Sequence, residues 1–237
     1  MTYTKGSESV SASVLDFAFF SPPTVHFGCG KAADQALPSI LSLGKCTLIV
    51  TGSSSRWHHL TEAIRNSALL EEAEVFHISP GEPEISDAQN AALAGAELGA
   101  DSVIGIGGGS AIDVAKAAAG LIPQPQGVHR YLEVVGDGQP LDVPALPLVA
   151  VPATAGTGSE ATKNGVLESI QHQRKVSIRH SSMVPNVAIV DPTLTLSAPP
   201  ASTAASGASS LLHANISKML HEMLHGSLAT FNALDIC

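Results

Sequence analysis

The sequence predicts an α/β protein, a mostly parallel sheet layered with helices, followed by a purely helical segment. Three observations carry this reading. Strand-like apolar runs alternate with helix-like segments from residue 24 to residue 192. Some runs, such as CTLIVTG at 46–52, are apolar nearly throughout, as strands covered on both faces must be. From Thr195 onward the strand signal stops, and the stretch from LSAPPASTAASG to HEMLH reads as helix alone.

The elements follow in order. TVHFG (24–28) alternates and stops at glycine, a short strand. KAADQALPSILSLG (31–44) is helical, with Pro38 placed to kink it and Gly44 to end it. CTLIVTG is the next strand, SRWHHLTEAIRNS (55–67) a helix, and AEVFHIS (73–79) a strand. SDAQNAALAGAELG (86–99) opens on a Ser-x-x-Gln capping box and closes on a glycine. DSVIGIG (101–107) and SAIDVAKAAAGL (110–121) form a further strand and helix, ALPLVAVP (145–152) a strand, and VAIVDP (187–192) the last strand. A boundary is expected near 192–196. It divides a loose polar leader at 1–15 and an α/β domain at 16–194 from a helical segment at 195–237. Right-handed crossovers are expected throughout the sheet.

Composition limits the function classes. The 237 residues, 44% of them hydrophobic, match an ordinary globular chain with room for a sizeable core. The formal charge of −9 and 12 scattered basic residues argue against a nucleic-acid surface, which needs clustered Lys and Arg. No apolar run is long enough for a membrane span, and the N-terminus lacks the pattern of a signal peptide. Cys29, Cys46 and Cys237 cannot all pair within the chain and show no C-x-x-C spacing, which fits a reduced cytoplasmic setting.

Two motifs carry the chemistry. In GIGGGSAIDVAKAAAG (105–120), Gly107, Gly108 and Gly109 join an apolar strand to a helix. Such a turn lets backbone N–H groups approach an anion, and the helix N-terminus adds partial positive charge. Ser110 adds a hydroxyl, and Asp113 and Lys116 follow on a similar side of the helix. A plain strand-to-helix turn needing small residues would show the same glycines, and the spacing matches neither G-x-G-x-x-G nor the P-loop. The second motif, VPATAGTGSEATKNGVL (151–167), follows a strand and reads as a loop rich in hydroxyls and open amides.

Together these motifs resemble the iron-containing (group III) alcohol dehydrogenase family, which shares its fold with glycerol dehydrogenase and dehydroquinate synthase. The resemblance runs from FFSPPTVHFGCG (19–30) through GEPEISD (81–87) and both motifs to RKVSIRHSSMVPNVAIVDPTLTLSAPP (174–200), and fades after HANIS. It implies a dinucleotide-binding α/β domain followed by the start of an all-helical domain, with the ligand in the cleft between them. By that resemblance Gly107, Gly108, Gly109 and Ser110 hold the pyrophosphate, and Asp113 belongs to the same cofactor motif. Thr154 and Thr157 contact the nucleotide with Ser159 nearby, and Lys175 lies near the cofactor ribose. NAD-preferring relatives often carry Asp after the second strand, where it accepts from the ribose and repels a 2′-phosphate. Gly52 stands there in this chain, and Ser53, Ser54, Ser55 and Arg56 follow as possible donors. The expected cofactor is NADP, or NADP and NAD alike; a relaxed preference would leave the same glycine.

The catalytic half departs from the family. Its divalent metal is held by one Asp and three His, the first two from a G-x-D-A-L-x-H-A helix. The matching stretch SGASSLLHA (206–214) has Ser209 for the Asp and keeps His213. A neutral hydroxyl is a poor ligand for a hard divalent ion. His221 and His225 share a helix face, with His213 two turns earlier, but three imidazoles in a row do not converge on one ion. The segments that would carry the other family histidines have no counterpart, so the helical domain is expected to be truncated. No iron or zinc site is therefore expected, and His213 is the candidate proton donor. The leucines of SLLHANISKMLHEML are expected to need cover from a second copy or another chain. The implied function is an NAD(P)-dependent oxidoreductase acting on a small alcohol or aldehyde. A dinucleotide-binding protein without turnover and a non-redox biosynthetic enzyme on the same scaffold remain open alternatives.

Overall fold

The computed structural model describes residues 20–224, with side chains through residue 215. The leader expected at 1–15, together with His225 and Cys237, lies outside the described residues, as does the side chain of His221. Eight strands and five α-helices follow in chain order: β1 (Thr24–Phe27), α1 (Lys31–Leu41), β2 (Cys46–Thr51), α2 (His58–Arg65), β3 (Glu72–His77), α3 (Ile85–Leu98), β4 (Ser102–Gly107), α4 (Gly109–Leu121), β5 (Leu148–Pro152), β6 (Asn164–Ser169), β7 (Arg174–Arg179), β8 (Val187–Val190) and α5 (Pro200–Leu224).

Six strands form one sheet in the order β1-β8-β5-β4-β2-β3, and every pairing in it is parallel. Parallel neighbours cannot be joined by tight turns, so each connection crosses a face of the sheet with a helix or a long loop. Alternation along β2 divides the core. Leu48 and Val50 face α3 and α4, while Ile49 packs with Ala36 and Ile40 of α1 and Leu60 and Ile64 of α2. The sheet ends at Val190 and α5 begins at Pro200.

Three local readings are corrected. The capping box of α3 is built from Glu84 and Asp87, not Ser86 and Gln89. Asp87 Oδ2 accepts the Glu84 amide at 2.9 Å and Oδ1 the Ser79 amide at 3.1 Å, which starts the helix one residue before Ser86. The helix expected at 55–67 is a single 3₁₀ turn over 55–57 followed by the shorter α2. The loop reading of 151–167 ends at Asn164, where β6 starts, and β6 pairs with β7 as an antiparallel hairpin.

That hairpin explains the composition of α4. The helix lies between β4 and β6, and all of its residues from Ala111 to Leu121 are buried. A Cβ on Gly105 of β4 would stand 2.7 Å from the Ala115 Cβ, and one on Gly165 of β6 would stand 2.9 Å from the Asp113 carbonyl. Alanine on the helix and glycine on both strands permit this close approach.

Candidate functional site

The site is built where the direction of the crossovers reverses. From β2 the chain leaves through α2, on the α1 face, to the edge strand β3; from β4 it leaves through α4, on the opposite face, to β5. β2 and β4 are neighbours, with Thr51 opposite Ile106. The two following helices therefore diverge and leave a crevice at the strand ends, the position at which open α/β sheets bind ligands. Gly52 and Gly107 edge this crevice. A Cβ on Gly107 would lie 3.7 Å from the Gly52 amide nitrogen and 3.0 Å from the Ala111 Cβ. Gly107 also has φ +146, a conformation side chains rarely take.

The chain then turns through Gly108 into α4, whose first amides have no partner within the helix. The loop after β5 packs over this turn. A Cβ on Gly109 would stand 2.7 Å from Thr157 Cγ2, and one on Gly108 would stand 3.6 Å from Thr154 Cγ2. The Ser159 amide donates to Thr157 Oγ1 at 3.3 Å. Both threonines named by the sequence motif thus reach the glycine turn.

A cleft of about 360 Å³ opens beside the turn, bordered by Gly109, Ser110, Asp113, Thr157, Ser159, Lys175, Ser209 and His213. The tertiary structure brings most of the sequence-named residues to one place. Ser110 Oγ donates to the Gly81 carbonyl at 3.3 Å. His213 also borders a second cleft of about 640 Å³ with Thr154, Glu160 and Asp191. Gly52 and Ser53 lie apart from this group, at the neighbouring strand end. There Ser53, Ser54, Ser55, His58, Thr61 and His77 border a recess of about 150 Å³. Arg56, a candidate donor there, is committed elsewhere: its Nε donates to Ser54 Oγ at 2.9 Å and its Nη1 to the Ser197 carbonyl at 3.2 Å. His58 and His77 border the recess instead. Only the pairing of β2 with β3 brings His77 there, because residue 77 is far from residue 52 in the chain.

Asp113 is part of the cleft wall, but its charge is met from within the protein. Lys116 Nζ lies 2.9 Å from Asp113 Oδ1, as an ion pair. Burial is the main influence on both groups, raising the Asp113 pKa and lowering that of Lys116, and their mutual attraction opposes each shift. Lys175 projects from β7 to the cleft mouth, where its Nζ meets Glu82 Oε2 at 3.0 Å. The sequence reading missed Glu82 as a site residue, although it stands in the quoted GEPEISD stretch.

The start of the long helix closes the other side. Ser210 Oγ donates to the Ala155 carbonyl at 2.9 Å, and Ser209 Oγ donates to the Gly156 carbonyl at 3.4 Å. A Cβ on Gly156 would stand 2.8 Å from Ser206 Cα, so the loop lies directly on α5. Ser209 therefore offers a neutral hydroxyl already turned to a backbone carbonyl, and His213 a single imidazole. Among the described residues no three His, Cys, Asp or Glu side chains gather as a metal set. Ser209 and His213 by themselves are fewer ligands than a divalent ion takes, since such an ion is held by several nitrogen, sulfur or carboxylate groups at once. No helix among the described residues is long and apolar enough to cross a membrane.

Comparison with known proteins matches residues 22–192 to the family model of iron-containing alcohol dehydrogenase. Long-chain-alcohol dehydrogenase 1 of Geobacillus thermodenitrificans is 38% identical over 197 residues, 81% of this chain and 49% of that protein. The mitochondrial hydroxyacid-oxoacid transhydrogenase of Caenorhabditis elegans is 34% identical over 210 residues, 84% of this chain and 44% of that protein. Among solved structures, the iron-containing alcohol dehydrogenase of Thermotoga maritima superposes with a TM-score of 0.72 at 30% identity, over 84% of this chain and 54% of its own. The sulfoacetaldehyde reductase of Bifidobacterium kashiwanohense, solved in complex with NAD+, gives 0.70 at 31% identity, over 83% and 52%. The chain spans about half the length of the curated relatives it matches.

Proposed function

Because the chain belongs to the iron-containing alcohol dehydrogenase family, we propose that it binds a nicotinamide dinucleotide across the ends of β2 and β4 and acts as an oxidoreductase on a small alcohol or aldehyde. One observation carries the binding reading. The Gly107 turn, the first turn of α4 and Thr157 form a cradle so close that a side chain on Gly109 would displace Thr157. A pyrophosphate fits this arrangement of amides and hydroxyls.

When bound, the nicotinamide supplies hydride transfer. The protein's own residues hold and orient it. In this reading the amides at 109–111 face the pyrophosphate, the Ser110 hydroxyl turns to it from the Gly81 carbonyl, Thr154 and Thr157 flank the nucleotide, and Lys175 reaches the ribose from the cleft mouth. His213 borders both clefts and is the proposed proton donor to the alkoxide oxygen. The recess beyond Gly52, edged by hydroxyls and two imidazoles and bare of carboxylates, favours NADP at least as well as NAD. The chain's described residues are not proposed to hold a metal.

A second reading, a dinucleotide-binding protein without turnover, is favoured by Ser209 alone, since it replaces a carboxylate with a hydroxyl. Exposed Leu196, Leu211 and Leu212 support cover by a second copy or a partner chain, and the cysteine usage supports a cytoplasmic setting.

Titration calorimetry with NAD and NADP tests the binding reading. Binding of either, weakened at least tenfold by Ser110→Asp, is expected, because that carboxylate faces the pyrophosphate. Failure of the unaltered chain to bind either nucleotide overturns it. Aldehyde-dependent oxidation of NAD(P)H, lost in His213→Ala, separates the first reading from the second.

A further inference from the structure

We infer that Lys116 is a positioning residue that sets the cradle from beneath, by tying the loop after β5 to the body of α4. The inference rests on the dinucleotide reading above. Lys116 is 0% exposed, and burying an ammonium is unfavourable unless oxygens receive it. Three do. Its Nζ donates to the Ser159 carbonyl and to Thr162 Oγ1, each at 2.9 Å, and stands 2.9 Å from Asp113 Oδ1. The first two belong to a loop 43 and 46 residues further along the chain.

The connection continues to the front of the site. Ser159 presents its carbonyl to Lys116 and its amide to Thr157 Oγ1. Thr157 in turn places its methyl group against Gly109, the first residue of the same helix. A lysine two turns inside α4 thereby fixes what stands before the helix's own N-terminus. Asp113 has a distinct part: it neutralises the buried ammonium, so that the loop is gripped without leaving a net charge in the core. An apolar residue at 116 would fill the same space but leave the Ser159 carbonyl only its bonds from Thr162, within the loop itself, and none to α4. Fixing the loop in its binding shape before the ligand arrives lowers the ordering cost of binding.

The test uses Thr162→Val, which removes the bond from Lys116 and the hydroxyl's own bond to the Ser159 carbonyl without stranding a charge, Thr162→Ser, which keeps the hydroxyl, and Lys116→Met. Amide hydrogen exchange of the ligand-free chain is followed over 154–163, alongside melting temperature and NAD and NADP affinity. Exchange in that segment should rise at least tenfold in Thr162→Val and in Lys116→Met, and return to the unaltered rate in Thr162→Ser. Dinucleotide affinity should fall by about the same factor, with exchange in β2 and β4 unchanged in Thr162→Val. Unchanged exchange over 154–163 in Thr162→Val overturns the tether even if Lys116→Met fails to fold. Faster exchange with undiminished affinity overturns the positioning role. If the unaltered chain binds no dinucleotide, the reading of function falls, and the exchange rates alone decide whether Lys116 holds the loop.

Discussion

Asp191 Oδ2 accepts a hydrogen bond from the Ala32 amide at 3.0 Å, joining residues 159 positions apart. Asp191 follows β8 and Ala32 lies in the first turn of α1, so one carboxylate ties the last strand of the sheet to the first helix. Its other oxygen accepts from the Thr193 amide at 3.0 Å and the Thr193 hydroxyl at 2.6 Å.

This carboxylate should make the protein sensitive to acid. Burial by itself raises its pKa, but the bonds from Thr193 and from the amides of Ala32, Thr193 and Gly30 outweigh it and hold the group below the ordinary carboxylate range. A depressed folded-state pKa adds stability that is present above the unfolded value, about 3.9, and lost as pH falls through the folded value. Asp191→Asn should cost about 1–3 kcal/mol at neutral pH. The difference in denaturation midpoint between variant and parent should narrow below about pH 4. A gap that stays constant into acid would remove the charge from the explanation.

Lys116→Met strands the Asp113 carboxylate and should cost about 3–5 kcal/mol, whereas Asp113→Leu with Lys116→Met should restore much of that loss. Urea denaturation of the two single variants and the double variant checks this. A double variant that costs the sum of the two single variants would show that the pair does not act as a unit.

Gly109→Ala should be felt both in stability and at the site, because its Cβ would come within 2.7 Å of Thr157 Cγ2. Overpacking of this kind costs about 1–3 kcal/mol. Calorimetry should show NAD and NADP weakened together, with no change in preference between them. A variant that binds both normally would mean Thr157 rotates away freely.

Gly52→Asp should separate the two cofactors. A Cβ at Gly52 meets nothing within 4 Å, so the first carbon of the new side chain enters open space. Its charge beside the ribose should weaken NADP by tenfold or more, about 1.4 kcal/mol, while leaving NAD equal or tighter. Parallel titrations of the two nucleotides decide it. Strict NAD binding by the unaltered chain would contradict the proposed preference.

Protein purified without chelator should carry well below one equivalent of zinc or iron, by elemental mass spectrometry. A metal Lewis acid contributes several kcal/mol in carbonyl chemistry, so aldehyde reduction should be roughly a thousandfold slower than a metal-assisted rate and indifferent to chelator. One equivalent of metal, lost in His213→Ala, would show that the chain completes a site beyond Ser209 and His213.

The sequence by itself determined the layered architecture and the position of its glycine turn. Apolar runs at 46–52 and 101–107 fix buried parallel strands because a strand covered on both faces has no polar side to show. Three glycines before SAIDVAK mark the turn because only small residues allow that close approach of backbone. The motif loop at 151–158 could be read for its hydroxyls, and Ser209 for its missing charge.

Tertiary structure alone decided what each of these groups touches. The hairpin of β6 and β7 is short, and which element its buried side meets, α4 against β6, is a contact between distant parts of the chain. Glu84 displaced Ser86 at the start of α3 because Asp87 found the Ser79 amide as well as that of Glu84. His77 joined the recess beside Gly52 only through the pairing of β2 with β3. Lys116 is legible by spacing only as a neighbour of Asp113 on one side of the helix; the fold buries it between the Asp113 carboxylate and the Ser159 carbonyl. Local periodicity reports which face of an element is apolar; the partner of a buried charge is chosen by long-range chain crossing, which no short window of sequence contains.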